Sequence, residues 1–274
     1  MSGVWEPWRP ELDTDPAYDL ARPAVNYIVC STPRSGSGLL CRGLASTGRA
    51  GLPAEYFNVN QRGPLTERWC SGPSLSEYAT ALRARRTSPD GVFGTKLHWD
   101  QVERLRAEAR DEGVSEPPFP LSADFLANLI PRARFLRIAR LDLDRQAISL
   151  WNALHRGVWS ARAGTRQPAT VAPGYDFDEI ECLRQKLALG ELHWDRFLRA
   201  NRITPVEVEY ESLVTDFVTT IRRVMWELLG VRVAGEQVAS PDSLQHAYPE
   251  SEAVYSSFTG SRKRRATTYD LGQA

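Results

Sequence analysis

A short apolar segment that runs directly into a turn rich in glycine and serine is the most constraining feature of this sequence. Residues 25–30 read VNYIVC, and residues 31–38 continue as STPRSGSG. The apolar, β-branched and aromatic run predicts a buried strand. Residues 38–45 then place Leu39, Leu40 and Leu44 at helical spacing. The segment therefore predicts strand, turn and helix, which is the opening unit of an α/β fold.

The same alternation recurs along the chain. Patterns of apolar residues predict further strands at residues 92–97, 134–139 and 206–210, and helices at residues 101–110, 125–130, 143–159, 178–199 and 217–229. Ser122 and Gly230 are residue types that commonly begin and end helices. Residues 58–68 and 160–174 are predicted to be loops. Helices of this length between strands predict a mostly parallel central sheet with helices on both faces.

Composition bounds the class of protein. The 274 residues include 34 basic and 34 acidic side chains, a balance that argues against a general nucleic-acid binder. No stretch approaches the roughly 18 apolar residues of a membrane span, and the first residues lack the pattern of a secretory signal, so we expect a cytoplasmic protein. We expect one domain at residues 25–258, between an N-terminal arm at 1–24 and a basic C-terminal tail at 259–274, which contains Arg262 to Arg265.

Cysteine usage and spacing indicate no covalent or metal staple. The four cysteines lie far apart and form no Cys-x-x-Cys pair. This distribution favours free thiols in a reducing compartment and predicts no structural zinc site. A chain of this length can build a sufficient apolar core without either device.

The turn after the first predicted strand has the chemistry of an anion site. Backbone N–H groups at the start of a helix converge on one point and carry partial positive charge. Arg34 adds a forked cationic donor suited to phosphate or sulfate oxygens, and Ser35 and Ser37 add hydroxyl groups. Gly36 and Gly38 allow a ligand to approach the backbone closely. We therefore predict that this turn binds an anionic, phosphorylated ligand.

The turn lacks the parts of a nucleotide-hydrolysing P-loop. That motif needs Gly-Lys-Ser/Thr, with the lysine on the outer phosphates and the hydroxyl on magnesium. Here the chain continues from Gly38 as Leu39 and Leu40. Kinase or ATPase chemistry is therefore disfavoured, although a nucleotide-binding module without transferase activity remains an alternative interpretation.

A second junction carries another candidate pair. Arg140 follows the strand predicted at residues 134–139, and Ser149 lies in the early part of the next predicted helix. Ligands of open α/β sheets bind outside the carboxyl ends of the strands, where both junctions should lie. We therefore predict that Arg140 and Ser149 hold a second part of the same anionic ligand.

Together these segments resemble the sulfotransferases that use 3′-phosphoadenosine 5′-phosphosulfate (PAPS), and they are most similar to the bacterial trehalose 2-sulfotransferase group. The similarity extends over residues 25–230. The matching segments are PRSGS at 33–37, GLPAEYF at 51–57, GVFGTKLHW at 91–99, RLD at 140–142, ISLW at 148–151 and EVEY at 207–210.

The resemblance implies a transferase that moves a sulfuryl group from PAPS to a hydroxyl group, without a metal. The residues implied to hold the 5′-phosphosulfate are Thr32, Pro33, Arg34, Ser35, Gly36, Ser37 and Gly38. Arg140 and Ser149 are implied to hold the 3′-phosphate. Sulfuryl transfer resembles phosphoryl transfer, so positioning and charge neutralisation should dominate catalysis. Arg34 is placed to absorb charge that develops on the leaving phosphate.

Two residues compete for the role of general base toward the acceptor hydroxyl. Glu55 lies between a proline and two aromatic residues, which can desolvate its carboxylate, and the resemblance to the trehalose group implies that it is the base. His98 belongs to a Lys-x-His segment similar to that of cytosolic sulfotransferases, in which the histidine is the base. Lys96 is expected near the transferred group, so Glu55, Lys96 and His98 are also candidate acceptor contacts.

The acceptor itself stays open at this point. The resemblance implies a carbohydrate, either trehalose or a related sugar or glycolipid, and His98 departs from the trehalose-type pattern, so a hydroxylated natural product is the alternative. Acceptor contacts are expected from the loops at residues 58–68 and 160–174. The related group includes homodimers, which implies that this chain can pair with a second copy.

Overall fold

The structure is a computed structural model that describes residues 25–69, 72, 74–111, 122–159, 174–239 and 251–271, with side chains described up to residue 265. The predicted N-terminal arm at 1–24 and residues 160–173 of the predicted long loop lie outside the described residues, as does Cys70. Cys30, Cys41 and Cys182 are free thiols.

Four parallel strands form one sheet. They are β1 (Val25–Ser31), β2 (Val92–His98), β3 (Arg134–Ala139) and β4 (Val206–Glu209), arranged in the order β2-β1-β3-β4. Ser31 pairs with His98 in register, and Ala139 pairs with Glu209. The carboxyl ends of all four strands therefore meet at one edge of the sheet. The predicted α/β class with a parallel sheet is confirmed.

Ten α-helices surround this sheet in the described residues. They are α1 (Ser37–Ser46), α2 (Val59–Trp69), α3 (Leu75–Arg86), α4 (Trp99–Asp111), α5 (Ala123–Leu129), α6 (Leu143–Arg156), α7 (Phe177–Ala200), α8 (Tyr210–Thr215), α9 (Phe217–Val224) and α10 (Ser251–Leu271). A short π-helix at Met225–Leu229 continues α9. Gly230 caps its C-terminus with a left-handed φ of 72°. Ser122 caps α5 by accepting a hydrogen bond from the Asp124 amide, as predicted.

The buried strand β1 contributes side chains to the cores on both faces of the sheet. Successive side chains of a strand point to opposite faces. Tyr27 and Val29 pack in one core cluster with helices α1 and α9, whereas Ile28 and Cys30 pack in another with helices α3, α4 and α7. This two-sided burial explains why the β1 sequence is continuously apolar rather than alternating.

The third core cluster joins the last helix, α10, to helices α6 and α7. Trp151 of α6, Ile180 of α7 and Phe258 of α10 are fully buried together. Trp151 therefore has a core position. The helix α10 continues through the predicted start of the basic tail at residue 259. Two arginines of that basic stretch form ion pairs, Arg262 with Asp144 and Arg265 with Asp178.

The prediction of a loop at residues 58–68 was wrong. These residues form most of α2, which even contains Pro64. Gln61, Leu65 and Trp69 are buried at intervals of four residues, so packing of one face stabilises this helix. Gly63, Pro64 and the many polar residues concealed this pattern. The helix α3 was also missed by sequence reasoning.

Candidate functional site

The anion turn, defined as residues 32–38, connects β1 to α1 through two left-handed residues. Arg34 has a φ of 64° and Gly36 a φ of 86°. A non-glycine residue in this region costs of order 1–2 kcal/mol, so surrounding contacts must hold Arg34 there. Helix α1 starts at Ser37, and no side chain of the described residues caps its N-terminus. The first amides of α1 are therefore available to an anion, whereas the Ser35 amide donates to the Thr32 carbonyl at 3.3 Å.

Gly36 is required by space as well as by conformation. A Cβ atom at Gly36 would overlap Cδ2 of the Tyr210 ring. Tyr210 begins α8, directly after β4, so it reaches the turn from two strands away. The turn is consequently packed against an aromatic ring that the sequence reasoning did not assign to the site.

The two predicted ligand-binding segments meet. Arg34 Nε donates a hydrogen bond to Ser149 Oγ at 3.0 Å, and its Nη1 donates to the backbone carbonyl of Trp159. Ser149 lies on α6, which starts at the end of β3. Two segments more than a hundred residues apart in the chain are thus in direct contact.

Arg140 lies in the same neighbourhood. Its guanidinium carbon is 4.6 Å from the centroid of the Tyr210 ring, the ring that also packs on Gly36. Burial lowers the pKa of the Arg140 guanidinium from its ordinary value, while Tyr210 and Glu211 act in the opposite direction. Glu211 also accepts hydrogen bonds from the amides of Leu141 and Asp142, at 3.1 and 3.3 Å. The segment after β3 is therefore fixed by the first residues of α8.

Several polar atoms at this edge are buried without a partner. Ser35 Oγ, Arg140 Nε and Trp159 Nε1 have no hydrogen-bond partner among the described residues. A buried donor without a partner costs free energy, so such groups commonly mark the place of a ligand or an ordered water. Three of them beside one turn fit an anionic ligand with many acceptor oxygens.

The other predicted residues of the turn have structural partners. Gln146 Nε2 donates to Thr32 Oγ1 at 2.9 Å and to the Pro33 carbonyl at 2.7 Å. Ser37 and Gly38 are the first two residues of α1. The Thr32 side chain therefore packs against protein, and its hydroxyl contacts Gln146 of α6.

Glu55, Lys96 and His98 come together in one buried cluster. Glu55 Oε1 forms an ion pair with Lys96 Nζ and lies 3.4 Å from His98 Nε2. The three residues are only 3%, 3% and 8% exposed. An ammonium in contact with a buried carboxylate compensates its charge. The two candidate bases, Glu55 and His98, are thus neighbours in one buried cluster.

Backbone pairing explains how Glu55 reaches this position. The amide of Lys96 donates to the Ala54 carbonyl at 2.8 Å, and the Thr95 hydroxyl donates to the same carbonyl at 3.2 Å. The segment that carries Glu55 is therefore attached to the outer side of β2 like a short strand. The second carboxylate oxygen of Glu55, Oε2, accepts hydrogen bonds from Asn58 Nδ2 and Gln101 Nε2, both at 3.1 Å.

The cluster touches the base of the anion turn. His98 Nδ1 lies 2.9 Å from Ser31 Oγ, and Ser31 immediately precedes the turn. With its proton on Nε2, the His98 ring accepts from Ser31 and donates toward Glu55. Register pairing of Ser31 with His98 places these groups at adjacent strand ends. The cluster and the anion turn are therefore adjacent at this edge of the sheet.

Sequence reasoning missed several polar contacts of this site. Gln146, Glu191 and Tyr210 each contact a predicted residue from a distant part of the sequence. Asn58 and Gln101 also contact predicted residues, and they lie only three residues after Glu55 and His98. Only Tyr210 lay in a segment that had been matched by resemblance. Among the described residues, no group of three or more His, Cys, Asp or Glu side chains could hold a metal ion. None of the described helices combines the length and apolar character needed to cross a membrane.

Comparison with known families identifies the class of protein. The model of the Stf0 sulphotransferase family matches residues 26–248, which is most of the chain. This chain therefore belongs to the Stf0 sulphotransferase family.

Two characterised relatives have more specific names. The chain is 26% identical over 231 residues to a trehalose 2-sulfotransferase of Mycobacterium tuberculosis, with 75% of this chain and 85% of the relative covered. It is 26% identical over 228 residues to a trehalose 2-sulfotransferase of Mycolicibacterium smegmatis, with coverages of 74% and 84%. A crystal structure of a sulfotransferase from Alicyclobacillus acidocaldarius aligns with a TM-score of 0.46 and 16% identity, covering 88% of this chain and 93% of that one.

Proposed function

We propose that this sulfotransferase uses PAPS as donor and transfers its sulfuryl group to a hydroxyl group of a carbohydrate. The observation that carries the proposal is the hydrogen bond from Arg34 to Ser149, since it unites the two segments that would hold the 5′- and 3′-phosphates of one nucleotide. Ser35 Oγ and Arg140 Nε, which are buried and have no hydrogen-bond partner within the described part of the chain, fit the same ligand. The names of the two relatives support trehalose or a related sugar or glycolipid as the acceptor.

The proposed reaction is an in-line exchange at sulfur. The bond from sulfur to the bridging oxygen of the donor breaks, and a bond from sulfur to the acceptor oxygen forms. The acceptor proton passes to the protein, and the leaving phosphate keeps the electron pair of the broken bond. Arg34 and the amides of the anion turn stabilise that developing charge, as preorganised donors do in other group transfers.

Glu55 is the proposed general base. Both ring nitrogens of His98 already face protein groups, Ser31 on one side and Glu55 on the other. We assign the base to Glu55 because the resemblance to the trehalose 2-sulfotransferase group implies it, and His98, which lies beside its carboxylate, then orients it. The contact between His98 Nε2 and Glu55 Oε1 is 3.4 Å, at the long end of the range for a hydrogen bond. Lys96 compensates the charge of the carboxylate.

The proposed catalytic domain comprises residues 25–258, and we expect it to function in the cytoplasm. The Stf0 match supports most of that range. Dimerisation remains part of the proposal because the resemblance implies it.

Two measurements test the proposal. Calorimetry should detect binding of 3′,5′-diphosphoadenosine, the desulfated donor, and no comparable binding of ATP with magnesium. Incubation with PAPS and a panel of sugars, including trehalose, should give a product that has gained one sulfo group by mass spectrometry. Preference for magnesium ATP would favour a nucleotide kinase instead. Binding of the diphosphate without transfer to any acceptor would favour a non-catalytic nucleotide-binding module.

A further inference from the structure

The first residues of the anion turn are held from behind by helix α7. Trp194 Nε1 donates to the carbonyl of Ser31 at 2.9 Å. One turn earlier on the same helix, Glu191 Oε1 accepts a hydrogen bond from the Thr32 hydroxyl, with 2.5 Å between the two oxygens. A hydroxyl bonded to a carboxylate at this distance forms a strong, charge-assisted hydrogen bond. Two side chains of one helix face thus contact two consecutive residues at the end of β1.

Glu191 is itself fixed by a cation from the sheet. Arg137 Nη2 donates to Glu191 Oε2 at 2.9 Å, and Arg137 Nη1 forms an ion pair with Asp195. Arg137 lies on β3, in register with Cys30 of β1. One carboxylate oxygen of Glu191 therefore binds Arg137 of the sheet, and the other binds Thr32 of the anion turn.

Helix α7 packs closely on the turn at Gly190. A Cβ atom at Gly190 would lie 3.0 Å from the Thr32 Cγ2 atom, which is tighter than ordinary van der Waals contact. The methyl group of Thr32 thus packs on the helix backbone while its hydroxyl binds Glu191. Thr32 is 2% exposed, so this contact is sealed from water.

We propose that Glu191 is a positioning residue of the donor site, which acts on the bound nucleotide through Thr32. Arg34 occupies a strained left-handed conformation two residues after Thr32, and strain of this kind persists only where the surroundings hold it. The carboxylate of Glu191 fixes the start of the turn, so the later amides and Arg34 keep the geometry that receives the phosphosulfate. This inference rests on the proposed function, since it assumes that the anion turn binds the donor.

A double-mutant cycle on donor binding tests this role. Calorimetry with 3′,5′-diphosphoadenosine would compare the wild-type chain with Glu191→Ala, Thr32→Val and the double variant. Each single variant should lower the affinity by about tenfold, the usual effect of removing a hydrogen bond to a charged group. The double variant should lose clearly less affinity than the sum of the two single losses, because both changes remove the contact between Glu191 and Thr32. Thr32→Val in addition removes the acceptor of Gln146, so the coupling energy of the cycle, rather than the single losses, measures the contact.

Two further variants separate positioning from a loss of structure. Asp195→Asn removes the negative charge of another partner of Arg137 but leaves the contact between Glu191 and Thr32, so the diphosphate affinity should stay within about twofold of wild type. Glu191→Gln keeps an acceptor for the Thr32 hydroxyl, so it should bind more tightly than Glu191→Ala. Thermal unfolding without ligand identifies any variant that fails to fold, and Thr32→Val then tests the contact from its other side.

The outcomes distinguish this inference from the proposed function. If the wild-type chain binds no diphosphate, the proposed function is wrong and the inference fails with it. If the wild-type chain binds and Glu191→Ala binds equally well, only the positioning role is overturned. Independent, additive losses in the two single variants would also overturn it.

Discussion

The guanidinium of Arg140 lies over the ring of Tyr210, 4.6 Å from the ring centroid, while the same ring fills the space beside Gly36. One aromatic side chain from the end of β4 therefore contacts both ligand-binding segments. A cation over an aromatic face gains about 0.5–1 kcal/mol when exposed and about 2 kcal/mol when desolvated. Arg140 is partly buried, which favours the upper part of this range.

Replacement of the Tyr210 ring should weaken donor binding. Tyr210→Leu removes the support of Arg140 and the packing on Gly36, so the affinity for 3′,5′-diphosphoadenosine should fall by about five- to thirtyfold. Tyr210→Phe keeps the ring and is the matched control, with an affinity within about twofold of wild type. Equal losses in both variants would show that the hydroxyl, rather than the ring, matters.

Removal of the Arg140 side chain should have a larger effect on the same equilibrium. A hydrogen bond to a charged group contributes about 1.5–3 kcal/mol, so Arg140→Ala should weaken diphosphate binding by about ten- to 150-fold in calorimetry. Arg104→Ala is the control, because Arg104 is an exposed arginine on α4 paired only loosely, at 3.9 Å, with Asp100. Unchanged affinity of the Arg140 variant would remove that residue from the proposed site.

Gly36→Ala should damage both stability and binding. The left-handed φ of 86° and the overlap with Tyr210 both oppose a side chain there. We expect the free energy of unfolding to fall by at least about 1–2 kcal/mol in a denaturant titration. Gly260→Ala, in the middle of α10, is the control and should be neutral or stabilise the protein by about 0.5–1 kcal/mol. A fully stable Gly36→Ala variant would contradict the described packing of the turn.

Glu55→Gln should separate catalysis from donor binding. Loss of a general base usually lowers turnover by about 10²- to 10⁴-fold, while the diphosphate affinity should stay near that of the wild type. His98→Asn is the comparison and should lower turnover less, because His98 only orients Glu55 in the proposed mechanism. If Glu55→Gln keeps the wild-type rate and His98→Asn loses it, the two roles must be exchanged.

The buried ion pair of Lys96 and Glu55 should contribute to the free energy of unfolding. Lys96→Met leaves a buried carboxylate without its cation, which should destabilise the fold by about 3–5 kcal/mol in denaturant unfolding. The double variant with Glu55→Gln should recover part of this loss, since it removes the uncompensated charge. If Lys96→Met and the double variant unfold at the same denaturant concentration, the two charges do not depend on each other.

Much of the site could be predicted from local sequence because its residues follow strand ends. The turn after β1 and Arg140 after β3 were assigned to one edge by the rule that parallel strands end together, and the register of Ser31 with His98 agrees with that rule. The helices α2 and α3 were not predicted. In α2 the polar and proline-containing sequence hides a buried face, which only the packing partners reveal.

The sequence by itself determined the four strands, six of the helices, the glycine- and serine-rich turn after β1 and the class of residues that could carry the chemistry. These features depend on local periodicity and on residue types at strand ends. Only the tertiary structure decided that Glu55 and His98 are neighbours, that Tyr210 supports Arg140, and that Glu191 holds Thr32 across 159 residues of chain. Such contacts depend on how helices and strands pack in three dimensions. Side chains that meet in this way carry no mark of their partners in the linear sequence.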